Sequence, residues 1–151
     1  MAGSIDVSRG PYTISTDPER LDPVVIHGFL DRSYWAAGIP LDTVRRSLAG
    51  SLCFGLFHDA TQIGFARVVT DRATFAWLCD MWIEESHRGE GLGHWLVETV
   101  LGHPDLQGLR RFILATRDAH SIYAELGFRS PAKPEAYMEI HRPEIYRTTA
   151  G

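Results

Sequence analysis

The stretch Glu84-Glu85-Ser86-His87-Arg88-Gly89-Glu90-Gly91-Leu92-Gly93-His94-Trp95-Leu96 decides how this chain is read. Before it runs an apolar segment, Thr74 to Ile83. After it Leu92, Trp95, Leu96, Thr99 and Val100 keep helical spacing until Gly102 and Pro104. A strand therefore feeds a helix through a turn rich in glycine. Glycine lets the backbone approach a ligand closely, and the free N–H groups and positive dipole end of a helix start favour phosphate. Two common phosphate cradles are excluded. No lysine followed by serine or threonine succeeds the glycines, and His94 stands where a dinucleotide fingerprint needs its last glycine.

Outward from this turn, three strand-like runs precede it: Ser51 to His58, Gln62 to Thr70 and Thr74 to Ile83. The short breaks Asp59-Ala60-Thr61 and Asp71-Arg72 between them suit hairpins. Both alternating sets of the third run are apolar except Asp80, so it is expected to be central and covered on both faces. Upstream, Asp22-Pro23 opens a helix reaching about Tyr34, and Asp42 is expected to cap a second over Thr43 to Ala49. Downstream come a strand at Arg110 to Thr116, a helix at about Ala119 to Leu126, and a last strand at Ala136 to His141. The expectation is a mixed, mostly antiparallel α/β sheet of six to seven strands with about four helices on both faces.

The chain has 151 residues, room for one ordinary domain, expected over residues 11–147 with loose tails at 1–10 and 148–151. A first strand is expected at Pro11 to Ser15. Hydrophobic content of 44% against 23% charged residues supports a real core. The formal charge of -4, without charge blocks, argues against nucleic-acid or anionic-membrane partners. Cys53 and Cys79 lie in apolar runs as buried thiols, and no signal segment or spanning run is apparent, so the expected location is the cytoplasm.

Arg88, Gly91 and Gly93, spaced as arginine, two residues, glycine, one residue, glycine after a strand, resemble the acyl-CoA motif of the GCN5-related N-acetyltransferase (GNAT) superfamily. Ile122-Tyr123-Ala124-Glu125-Leu126-Gly127-Phe128 resembles its second marker, a tyrosine four residues before Gly-Phe. The element order agrees from Tyr12 to about His141, and Trp35 to Pro40 with Thr43 to Ser47 is similar to a subgroup of small bacterial members.

The resemblance implies that N–H groups of Arg88, Gly89, Glu90, Gly91, Leu92 and Gly93 hold the CoA pyrophosphate, with the Arg88 side chain as a phosphate partner and His94 nearby. It implies that backbone groups of Met81, Trp82 and Ile83 receive the pantetheine arm and thioester, by strand addition. It makes Tyr123 the general acid toward the leaving thiolate and a contact of the cofactor.

Asp80, the lone charge between Phe75 and Ile83, is either the base or an anchor for the Trp35 loop. Tyr34, Trp35 and Trp77 are expected to line the acceptor pocket, with Glu84 toward a cationic acceptor. The implied reaction is direct transfer from acetyl-CoA to a small amine, with no metal. Alternatives left open are a non-catalytic CoA-binding interaction module, or an acyltransferase of protein termini or aminoacylated RNA. A homodimer through the sheet edge near Ala136 to His141 is a further expectation.

Overall fold

The computed structural model describes residues 3–149. One sheet holds six strands in chain order: β1 (Asp6–Arg9), β2 (Tyr12–Ser15), β3 (Leu52–His58), β4 (Thr61–Thr70), β5 (Phe75–Ile83) and β6 (Arg111–Leu114). Neighbours from β1 to β5 run antiparallel; short turns join them except between β2 and β3, where the helical segment 16–51 intervenes. β6 lies parallel to β5, because a helical crossover joins them. The helices are α1 (Pro23–Arg32), α2 (Leu41–Ala49), α3 (Leu92–Leu101), α4 (His120–Glu125) and α5 (Ile145–Thr149).

Two cores cover the two faces. On one, the α3 residues Leu92, Trp95, Leu96, Val97 and Val100 pack on Phe54, Leu56, Ala66, Val68, Ala76 and Leu78. On the other, Ile26 and Leu30 of α1 and Val44 of α2 pack on Cys53, Phe65 and Trp82. Each such side chain contributes about 1.5–3 kcal/mol when fully buried. Asp22 caps α1, its Oδ1 accepting from the N–H groups of Val24 and Val25 at 3.1 and 3.2 Å, with Pro23 in the first turn.

Four expectations are corrected. Residues 6–9 are not a loose tail: they form β1, turned onto β2 through Gly10 at φ 58°. β1 is exposed on both faces, so it carries no apolar alternation, and backbone pairing with the Arg20–Asp6 ion pair at 3.3 Å holds it. At the other end α5 takes up Thr148 and Thr149; Met1, Ala2, Ala150 and Gly151 lie outside the described residues. Asp42 is not a cap, since α2 starts at Leu41 behind Pro40 without a side-chain cap. Ala136 to His141 is not a strand: a short 3-10 turn ends at Ala136 and the rest is irregular.

β5 lies inside the sheet between β4 and β6, with side chains in both cores as its apolar pattern implies, though β6 flanks it only over Phe75 to Leu78. The cysteines are free, and burial pushes both thiols up to about 12, which keeps them un-ionised.

Beneath α3, His103 is 1% exposed, stacks edge-on against Phe54, and accepts at Nδ1 from the Asp105 N–H at 3.0 Å. Burial lowers its pKa, so the folded state binds fewer protons than the unfolded chain. The stabilisation is complete above about pH 6.5, the ordinary histidine value, and is lost as pH falls from there through the folded value. Melting temperature is therefore expected to drop between pH 7.5 and 5.5. His103→Asn, which keeps an acceptor for the Asp105 N–H, is expected to flatten that drop.

Candidate active site

Asp80 shapes the centre of the site. Arg67 pairs with Cys79 and Phe65 with Trp82, so Asp80 and Met81 together oppose Ala66 in a β-bulge. Asp80 takes φ 53°, a region that aspartate tolerates better than most residues. The bulge switches the parity of the strand. Ala76 and Leu78 face the α3 core before it, and Met81 and Ile83 face that core after it, while Trp82 turns to the α1 side.

Beyond the bulge the sheet forks. β6 pairs with β5 only from Phe75 to Leu78, so Cys79 to Ile83 has a free edge toward β6 among the described residues. Into this fork α4 projects Tyr123, wedged edge-on against Phe128 at 5.9 Å, which meets Phe112 at 5.7 Å. The Tyr123 hydroxyl donates to Met81 Sδ at 3.5 Å. Burial, and secondarily the nearby Tyr34, push its pKa above the ordinary phenol value, so it stays protonated.

One end of the fork is the glycine turn. Gly89 and Gly91 take φ 85° and 74°, and Gly91 caps α3 without a side-chain hydrogen bond. A Cβ at either glycine would meet nothing within 4 Å, so conformation, not crowding, requires glycine there. The first N–H groups of α3 have no partner within the helix. Leu92 is buried as an anchor, while Arg88, Gly89, Glu90, Gly91 and His94 are exposed. Arg88 Nε donates to the Ile83 carbonyl at 3.1 Å, tying the turn to the end of β5 and leaving the outer guanidinium nitrogens for a phosphate.

At the other end the loop after α1 folds over the bulge. Trp35 Nε1 donates to Asp80 Oδ1 at 2.9 Å, and Arg67 Nε donates to Asp80 Oδ2 at 2.9 Å. Both carboxylate oxygens are thus engaged, and Arg67 also donates to Ser51 Oγ at 3.0 Å. Tyr34 meets Trp35 edge-on at 5.1 Å, and the Arg117 guanidinium lies 3.7 Å over the Tyr34 ring.

A family model described as Acetyltransferase (GNAT) family matches residues 17–128. The chain belongs to this family. A Gibberella zeae protein named as an acetyltransferase is 32% identical, with 78% of each chain covered. A GNAT-family structure from Xanthomonas campestris pv. campestris is 48% identical with a TM-score of 0.88, covering 89% of this chain and 96% of that one. A Clostridium acetobutylicum acetyltransferase structure with acetyl-CoA shares the fold at 14% identity and TM-score 0.63, covering 86% and 94%.

In this GNAT chain the fork brings together Met81, Ile83, the glycine turn and Tyr123, with Tyr34, Trp35 and Asp80 at its mouth. Trp82 contributes backbone only: its ring is 4% exposed and stacked on Phe29 at 4.6 Å, and its Nε1 has no partner among the described residues. Trp77 is half-buried and makes no ring contact or hydrogen bond to the Trp35 loop among the described residues. Glu84 is exposed at the strand end, its N–H donating to the Ile63 carbonyl. Sequence reasoning missed Arg67 and Arg117. Arg67 had a signal, being the lone charge of Gln62 to Thr70 as Asp80 is of the adjacent run.

Proposed function

We propose that the chain is an acetyl-CoA-dependent N-acetyltransferase, acting by direct transfer to a primary amine of a small molecule or peptide. The observation that carries this reading is the fork: a free edge of β5 from Cys79 to Ile83, with the glycine turn at one end and a protonated Tyr123 against it.

The turn fits a pyrophosphate, since Gly89, Glu90 and Gly91 are exposed at a helix start and the Arg88 guanidinium stands beside them, while the Arg88 N–H is taken by the Glu85 carbonyl at 3.2 Å. The edge of β5 at Met81 and Ile83, which no strand covers among the described residues, would pair with an extended pantetheine arm and polarise the thioester carbonyl, with the Ile83 carbonyl released from Arg88 Nε. Attack by a neutral amine forms the C–N bond and breaks the C–S bond. Tyr123 supplies the proton to the departing sulfur, and its hydroxyl already donates to a sulfur at Met81. The amine's own proton goes to water or to Glu84, because the Asp80 oxygens are held by Trp35 and Arg67. Asp80 thus acts as a positioning residue that fixes the bulge and the Trp35 loop. Tyr34 and Trp35 wall the acceptor side, and Trp77 is omitted from it.

The test is release of free thiol from acetyl-CoA on addition of a panel of primary amines, with mass spectrometry of the products. The expected result is amine-dependent thiol release with an N-acetyl product. Acetyl-CoA binding without turnover on any amine or peptide would instead mark a non-catalytic CoA-binding module.

A further inference from the structure

The loop after α1 and the segment after β6 meet at the mouth of the fork. Tyr34 stands edge-on to Trp35, whose Nε1 donates to Asp80, and the Arg117 guanidinium lies 3.7 Å over the Tyr34 ring. A chain of contacts thus runs from the bulge out to a cation. Both rings are open to solvent, Tyr34 at 55% exposed and Trp35 at 41%. Burial first, and Tyr34 second, raise the Tyr123 pKa, so Tyr34 stands within electrostatic reach of the acid. One ring therefore separates the Arg117 guanidinium from the reacting centre.

Arg117 is exposed, and among the described residues it makes no ion pair and no hydrogen bond, not even with its neighbour Asp118. The other arginines of the site are committed. Arg67 donates to Asp80 and Ser51, and Arg88 belongs to the phosphate end, bonded to the Ile83 carbonyl.

Stacking on a ring uses only the face of a guanidinium. Its N–H donors lie in the plane and stay available, in the fork geometry that matches a carboxylate or phosphate bidentately. The ring contact also removes part of the side chain's rotamer freedom before any ligand arrives, which lowers the cost of binding one. Charge selects between the two anions. Asp80 is balanced by Arg67, so Arg117 offers a single positive charge with no carboxylate in contact. That matches one carboxylate, whereas a phosphate dianion calls for a second cation.

Resting on the acetyltransferase reading, we propose that Arg117 makes the acceptor a small amino carboxylic acid, its carboxylate gripped by the guanidinium and its amine extended past Tyr34 toward Tyr123 and the fork. The same cation repels the second ammonium of a diamine, so selection works by attraction and by exclusion. Arg117 is a specificity-determining residue that touches the acceptor and moves no proton.

The test measures thiol release from acetyl-CoA with acceptors matched in chain length, over a series of lengths: an ω-amino carboxylate, the alkylamine lacking the carboxylate, the α,ω-diamine and the aminoalkyl phosphate. The carboxylate is expected to exceed the alkylamine by roughly 10- to 100-fold in kcat/KM, the range that hydrogen bonds to a charged group supply. In Arg117→Gln that preference is expected to vanish through a raised KM, with acetyl-CoA affinity by calorimetry within about twofold. Arg117→Glu is expected to turn the preference toward the diamine. Mere loosening of the Tyr34 loop would instead lower all acceptors alike, and that outcome would overturn the assignment. Equal turnover of carboxylate and alkylamine at every length, or preference for the phosphate, would also overturn it and leave the acetyltransferase reading standing. Thiol release with none of these acceptors would overturn it too, and the wider amine and peptide panel then decides the acetyltransferase reading separately.

Discussion

Tyr123→Phe is expected to lower kcat by roughly 10²- to 10⁴-fold, the range that general acid catalysis supplies, while acetyl-CoA affinity stays within about twofold. The change deletes one hydroxyl whose contact is a weak bond to Met81 Sδ, and it leaves the ring wedged against Phe128. Packing of α4, the fork and the glycine turn are therefore kept, so the loss falls on turnover. The pH dependence follows from the same group. Burial raises the Tyr123 pKa, so the acid form persists up to and beyond the ordinary phenol range. Activity of the wild type is expected to show no alkaline decline from this group below about pH 10. Rapid-quench measurement of acetyl transfer checks both points; an unchanged rate in Tyr123→Phe would remove the phenol from the mechanism.

Asp80→Asn is expected to lower melting temperature and turnover in parallel. The side chains of Asp80 and Arg67 are 11% and 19% exposed, so removing the carboxylate charge leaves a nearly buried guanidinium without its counter-ion. Breaking a fully buried pair costs about 3–5 kcal/mol, and this partly exposed pair is expected to cost about 2–3 kcal/mol. For a domain of this size that is a fall of roughly 5–10 °C in melting temperature. Asparagine still accepts from Trp35 and still tolerates the positive φ, so the bulge should persist while the loop over it loosens. Calorimetry beside a pH–rate profile separates the roles. A positioning residue moves both stability and rate and leaves the profile's shape alone. A base would leave melting temperature intact and remove the acid limb.

Much of this was legible because burial writes a period into sequence. Leu92, Trp95, Leu96 and Val100 mark α3 because one face of that helix is covered, and the glycines mark the turn because two of them need positive φ. Asp6 to Arg9 left no such mark, since a strand exposed on both faces has no reason to alternate. The run Ala136 to His141 has strand-forming residues, but pairing needs a partner that local pattern does not supply. The oddity of Asp80 was readable as a lone charge. Its partners were not, because Arg67, Asp80 and Trp35 lie on three separate segments that meet only where the bulge shifts the register of β5 against β4. Trp77 illustrates the same limit: an aromatic residue on the right strand, it lies on the stretch already paired with β6, short of the fork.

Titration of the purified chain with acetyl-CoA by calorimetry tests the central claim most directly, with Arg88→Ala alongside. The account predicts binding at about micromolar Kd, weakened roughly tenfold or more by the arginine change, with melting temperature nearly unaltered. A folded wild-type chain that takes up no acetyl-CoA would contradict it, and would leave the glycine turn and the fork as purely structural features.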